Sequence, residues 1–294
     1  MNLNYRVGIM QATCKLSLNI ITALNCEAKP IIDFYRLSKK RSKPFDYYTG
    51  TSISIAGQEF VINLLVSGIG CLNMSSACGW LASQTDNLQS IWLNVGTAGH
   101  KDLAVGSIVR VHRSIDISIG QSHYPPMTAK WQGENSPLLT VEAASDDYPQ
   151  GALVDMEGIA FFRSASLFAS AELIQSIKIV SDNETNSLER LNAALISQLI
   201  EPHSTILNEF ALRLIDLLPP KHDVSEYLSL IDHLHCTVSQ RQQYEKLLSK
   251  LLSLHQLNKQ SKDQIKSATT MSSLLKILKK QLQMIRPNLV EMVD

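Results

Sequence analysis

No glycine follows Gly158 in this 294-residue chain; all 13 lie at or before it. Glycine supplies the left-handed turns that join short strands, so the later part is not expected to continue a strand-and-turn pattern. The five cysteines, Cys14, Cys26, Cys71, Cys78 and Cys236, are odd in number and have no CxxC spacing. That excludes a zinc-finger pattern and a disulfide framework, and it predicts buried free thiols in a reducing compartment. Neither charge predominates, with Lys+Arg and Asp+Glu at 27 each. Whole-protein electrostatics therefore give no reason to expect nucleic acid or an acidic partner. No apolar run reaches the length of a membrane span. Residues 1–17 contain Arg6 and Lys15 but no continuous apolar core, so they do not make a signal peptide. They read as a leader or an extra edge strand, with Met10 as an alternative start, and the protein reads as cytoplasmic with no membrane partner.

The composition is globular, with 45% hydrophobic and 18% charged residues. Strand-like apolar runs are Leu18 to Leu24, Phe60 to Val66, Ser90 to Val95, Ser107 to Val111 and Ile177 to Val180. Between the second and third, Asn73 to Ser83 is rich in small, helix-compatible residues. Strands alternating with helices argue for an α/β sheet. After Ser187 the pattern becomes helical. Leu188 to Leu218 carries apolar residues at spacings of three and four, Pro202 predicts a break, and Pro219-Pro220 a stop. Beyond it, 221–294 has no Gly, Phe or Trp. There Tyr244, Leu247, Leu248 and Leu251 share one helical face, as do Met271, Leu274, Leu275, Leu278, Leu282 and Ile285. Two or three amphipathic helices are expected, each with a face to bury on the main domain, on another helix or on a partner. Lys276, Lys279 and Lys280 read as the solvated outer face of the last one. The domain expectation is thus a leader at 1–17, a catalytic domain at 18–220 and a helical extension at 221–294.

Three stretches bring carboxylates to the ends of expected strands: "ALNCEA" (Ala23 to Ala28), "VDMEG" (Val154 to Gly158) and "IVSDN" (Ile179 to Asn183). Ligands of open α/β sheets gather at that edge. Asp155 and Glu157 leave two readings open: the acidic first turn of a helix, or partners for a ligand hydroxyl. Two glycine-bearing stretches accompany them, "SGIG" (Ser67 to Gly70) and "NVGTAG" (Asn94 to Gly99), and both read as tight turns. Neither is a GxGxxG dinucleotide fingerprint nor a GxxxxGK[ST] phosphate loop. His100, His112 and His123 lack local metal-ligand spacing and read as structural or surface residues, so no metal and no cofactor are expected.

Taken together, "SGIG", "NVGTAG", "VGSIV" (Val105 to Val109), "VDMEG" and "VSD" resemble the nucleoside phosphorylase/nucleosidase superfamily, especially its methylthioadenosine/S-adenosylhomocysteine nucleosidase branch. The resemblance covers about Leu18 to Leu218. It implies a three-layer α/β sandwich around a mixed, barrel-like sheet, a homo-oligomer with a dimer favoured, and a small-molecule nucleoside partner. It also implies cleavage of a ribosyl N-glycosidic bond. On the matching positions, Asp182 is the acid that protonates the base and Glu27 positions the attacking water. Glu157 accepts hydrogen bonds from the ribose, Met156 packs on the sugar, and Thr97, Gly99 and Ser181 line the substrate site. The substrate expected is a purine nucleoside, with adenine as the base and room for a 5′-thio group. Asn94 stands where related phosphorylases carry an arginine, and Glu27 would repel phosphate, so hydrolysis is favoured. Arg110 and Arg113 have no motif that brings them to the site. A phosphate-dependent phosphorylase and a non-catalytic nucleoside-binding scaffold are the competing readings. Leu138 to Pro149, "LLTVEAASDDYP", shows no clear counterpart to the aromatic that stacks on the base in the nucleosidases.

Overall fold

The computed structural model describes residues 16–55, 57, 59–85, 90–144, 147–218, 224–254, 257 and 259–284. Expectations placed on Met10, Cys14, Pro219, Pro220 and Ile285, and on most of the leader, fall outside these residues. The chain divides into two compact units, one running to Leu218 and one starting at Pro219.

In the first unit the apolar run at Leu18 becomes β1 (Ser17–Thr22), followed by α1 (Asn25–Tyr35). Two strands carry little apolar signal, β2 (Ser38–Lys40) and β3 (Asp46–Ile53). Then come β4 (Glu59–Val66), α2 (Cys71–Gln84) and β5 (Ser90–His100). The strand β6 (Ile108–Asp116) leads to β7 (Gln121–His123), β8 (Glu134–Thr140) and β9 (Leu153–Asp155). The unit continues with α3 (Gly158–Ala165) and β10 (Ile174–Asp182). It ends with α4 (Ala193–Ile200) and α5 (Ser204–Ile215), separated by one tight turn at Glu201–His203 that contains Pro202.

The sheet runs β10-β6-β8-β9-β5-β1-β4-β3-β2, and β10 also pairs with β5. That extra pairing closes β10, β6, β8, β9 and β5 into a five-stranded mixed barrel, from which β1 to β4 continue as an open sheet. Alternation along the strands divides the core in two. Leu18, Ile20, Ile91, Leu93, Ile177 and Ile179 face Ile31, Ile200, Phe210 and Leu214 of α1, α4 and α5. Ile21, Leu65, Trp92, Ile174 and Val180 point the other way, toward Met74, Leu81, Phe161 and Phe162 of α2 and α3. Helices on both faces of strands buried on both sides give the three-layer architecture.

One correction follows from the pairing. "NVGTAG" is not a turn; it lies inside β5, which pairs from Trp92 to Gly99 with Ile174 to Asp182 of β10. On the opposite edge β1 pairs with β5 only as far as Asn94. The short strand β9 takes over at Gly99. Between those two partners the edge of β5 at Val95 to Ala98 is left without a strand, and a cleft opens there. Parallel strands β1, β4, β5 and β10 all deliver their C-terminal ends to it, as open α/β sheets do.

The second unit comprises α6 (Ser225–Ser229), α7 (Val238–Ser253), α8 (Lys259–Lys266) and α9 (Met271–Met284). The two apolar faces read from the sequence meet each other in it: Tyr244, Leu248 and Leu251 pack with Met271, Leu274 and Leu278, joined by Tyr227, Ile231 and Ile265. The helical faces thus bury one another in a core of their own. Lys276, Lys279 and Lys280 are exposed. No described helix is long and apolar enough to cross a membrane.

Candidate active site

The cleft has a volume of about 180 Å³, and Glu27, Thr97, Gly99, Met156, Glu157, Ser181 and Asp182 all line it. Every residue singled out from the sequence is therefore brought to one place, from four segments far apart along the chain.

Glu27 sits in the first turn of α1. Its Oε2 accepts hydrogen bonds from the backbone N–H groups of Ala23 and Leu24, both at 3.0 Å. Its Oε1 accepts from Thr97 N at 2.7 Å and Thr97 Oγ1 at 2.9 Å. Helix N-termini leave N–H groups unpaired, and a carboxylate in the first turn is the natural partner. The glutamate is 2% exposed, and four donors meet the four acceptor positions a carboxylate offers. Pro30, inside α1, cannot donate to the carbonyl of Cys26. Ser197 Oγ of α4 donates to that carbonyl instead, at 2.7 Å, which pins the helix that carries Glu27.

Glu157 occupies the N-cap position of α3 without a side-chain capping bond, and its Oε1 accepts instead from Gly70 N at 2.6 Å, at the entry to α2. Gly68 and Gly70 have φ of +83° and +98°, so "SGIG" is the tight turn expected, and it aims this N–H at the carboxylate. Burial pushes the Glu157 carboxyl up to about 7, and neighbouring Asp155 adds to this; Lys178 and the Gly70 N–H pull it down, while Glu27 raises it. Asp155 also lines the cleft, but its oxygens are turned to protein partners. Its Oδ1 accepts from Thr140 Oγ1 at 2.9 Å, and Thr140 Oγ1 accepts from Ile159 N at 3.0 Å, which ties β8, β9 and the start of α3 together. Asp155 braces the start of α3, Glu157 occupies its N-cap position, and both line the cleft.

Two residues at the site belong to no motif of the sequence, one behind the lining and one in it. Lys178 of β10 brings its Nζ to 2.8 Å from Asp155 Oδ2, a buried ion pair. Burial draws the lysine down, but Asp155, Glu157 and Glu27 together hold it above the ordinary lysine range. The second is Tyr148, an aromatic from the very stretch, "LLTVEAASDDYP", that shows no clear counterpart to the nucleosidases' stacking residue. It lines the cleft and its hydroxyl donates to Asp182 Oδ2 at 2.7 Å. Ser181 Oγ donates to Asp182 Oδ1.

The residues left aside by motif stay outside the cleft. Arg110 donates to Ala129 O and Asn135 Oδ1, and Arg113 donates to Ser122 Oγ. Lys29 pairs with Asp33 in solvent. His100 is structural, its Nδ1 accepting from Asp102 N and Leu103 N. His123 stacks on Phe162.

The fold and the site together define a barrel-edge cleft lined by four carboxylates, Glu27, Asp155, Glu157 and Asp182. No protein-family model matches the chain, and no protein of curated function matches it. Solved structures do. The chain is similar to the 5′-methylthioadenosine/S-adenosylhomocysteine nucleosidase from Helicobacter pylori with butyl-thio-DADMe-Immucillin-A, at a TM-score of 0.54 and 13% identity, over 69% of this chain and 99% of that one. It is similar to the Arabidopsis thaliana 5′-methylthioadenosine nucleosidase in apo form, at 0.51 and 18%, over 71% and 98%. It is also similar to the S. pneumoniae nucleosidase with the transition-state inhibitor MT-ImmA, at 0.50 and 21%, over 68% and 98%. The first unit has the fold of these nucleosidases.

Proposed function

We propose that the protein hydrolyses the N-glycosidic bond of a purine nucleoside, with adenine as the base. The observation that carries this reading is the convergence of Glu27, Glu157 and Asp182 on one cleft, in a fold shared with solved nucleosidases. Asp182 gives a proton to the leaving base. As the bond lengthens the sugar gains oxocarbenium character, and ionised Glu157 stabilises that charge more than the ground state. Glu157 also accepts from the ribose hydroxyls, while Met156 packs on the ring. Glu27 holds the attacking water. Of its four donors only the Thr97 hydroxyl can swing away without moving backbone, and a water in its place donates to Oε1.

Phosphate is disfavoured on two grounds. No arginine lines the cleft among the described residues, and related dianion sites depend on such groups. The backbone N–H groups that could cradle an oxyanion are already taken by Glu27.

Base release from a panel of purine nucleosides, with and without phosphate, tests the proposal. Adenine released from adenosine or its 5′-thio analogues in phosphate-free buffer is the expected result. Strict dependence on phosphate would make the protein a phosphorylase. Binding without cleavage would make it a scaffold.

A further inference from the structure

Both oxygens of the Asp182 carboxylate already accept hydrogen bonds, Oδ1 from Ser181 Oγ and Oδ2 from the Tyr148 hydroxyl at 2.7 Å. Tyr148 is 8% exposed and Asp182 is 2% exposed, so neither bond has bulk water as a ready substitute. The backbone is shaped for the contact. A Cβ on Gly99 would stand 2.5 Å from Tyr148 Cε1 and 2.7 Å from Asp182 Oδ2, so a glycine there lets ring and carboxylate meet over β5. The two donors are not equally free to leave. Ser181 lies within β10, held between Val180 and Asp182, which both pair with β5, and its Oγ also donates to Ala98 O at 3.4 Å. Tyr148 lies in the connection between β8 and β9, outside any strand. A heterocycle that needs an oxygen of Asp182 can displace the tyrosine more easily than the serine.

We propose that Tyr148 is an internal competitor for the base: its phenol occupies the Asp182 oxygen that a purine must reach, and it lets go before the purine binds. The proposal rests on the reading of Asp182 as the group facing the base. Its chemistry also defines the ligand class. A purine with an N–H or amino group on that edge replaces the donor it removes, whereas one with a bare edge leaves Oδ2 buried without a partner, a costly state. The device weakens binding of every base by one factor and so hastens product departure.

Tyr148→Phe separates this role from direct recognition. Titration calorimetry of the full-length protein with adenine and with unsubstituted purine is expected to show both bound about ten-fold more tightly by the variant, the value of one charge-assisted hydrogen bond released in advance. Their ratio stays the same, because the phenol is absent from both bound states. In the wild type, the Cζ resonance of labelled Tyr148 shifts when adenine is added. Unchanged or weaker binding by a folded variant would overturn the proposal, and so would an altered adenine-to-purine ratio, since Tyr148 would then touch the base itself. If the wild type cleaves no nucleoside yet the binding gain appears, the hydrolase reading fails and the competitor stands. Absence of adenine binding by both proteins overturns both.

Discussion

Lys178 and Asp155 form an ion pair sealed between strands β10 and β9, with Nζ 2.8 Å from Oδ2 and side chains 2% and 1% exposed. Removing two charges from water costs several kcal/mol, and their attraction offsets this only while both are present. Lys178→Met alone strands the Asp155 charge and is expected to cost about 3–5 kcal/mol in urea unfolding. The double variant Lys178→Met with Asp155→Leu removes both charges and should recover most of that loss. A single variant as stable as the wild type would show that Asp155 does not depend on the lysine.

The same pocket makes stability and activity oppose each other at Glu157. Its carboxyl is pushed up from 4.5 to about 7 by burial first and Asp155 second. As pH rises from 4.5 toward 7 the unfolded chain loses this proton while the folded chain keeps it. The unfolded state then binds fewer protons, and stability falls across the window and levels off above about 7. Glu157→Gln removes that penalty and can still accept from Gly70 N. The variant is therefore expected to be more stable than the wild type at pH 8, by on the order of 2–3 kcal/mol, and equal to it near pH 4.5. It should also lose base release, because the neutral amide gives no charge to the oxocarbenium. In the wild type kcat/KM should rise with pH through about 7. A parallel pair of stability curves would refute the linkage.

How much of this is legible in the sequence follows from what each signal rests on. Apolar runs mark β1, β4, β5, β6 and β10, whose residues are largely buried, and the helical periods mark α7 and α9. The half-exposed β3 has no such run; Asp46 to Ile53 holds mainly polar and small residues beside Tyr47 and Tyr48, and its pairing with β4 and β2 makes it a strand. The glycines of "NVGTAG" look like turn residues in the sequence, but neither is there for its φ. At Gly96 a Cβ would stand 3.0 Å from Glu27 Oε1, and at Gly99 it would meet Tyr148 and Asp182. They are close-approach glycines, and what approaches comes from elsewhere in the chain. Lys178 has a local signal, a lone cation inside "IQSIKIVSD", which β-burial turns into a demand for a partner. Tyr148 has none, because "EAASDDYP" carries no apolar run to mark it as buried.

Those two glycines yield a further expectation. Gly99→Ala forces Tyr148 or Asp182 to retreat, while the strand itself tolerates alanine. Base release should fall at least ten-fold, as about 1.4 kcal/mol of misplacement would cause, with a smaller proportional effect on thermal unfolding. Full activity in this variant would mean that Asp182 has more freedom than its two hydrogen bonds suggest.

Glu27 offers the sharpest test of why water and not phosphate reacts. Its carboxylate is an anion held by three backbone N–H groups and one hydroxyl, and Lys178 feels its charge. Shortening the side chain in Glu27→Ala leaves those donors pointing at a vacated, buried space, which is how proteins bind small oxyanions. Hydrolysis is expected to drop by about 10²-fold or more, the usual value of a positioned base. Added formate should restore part of it by supplying a carboxylate to the same four donors. Inorganic phosphate should instead yield ribose 1-phosphate, absent from wild-type reactions under the same conditions. Chromatography of the sugar product reads the outcome directly. If neither anion changes the rate and Glu27→Ala remains folded, the four donors do not form an anion cradle, and the preference for water has another origin.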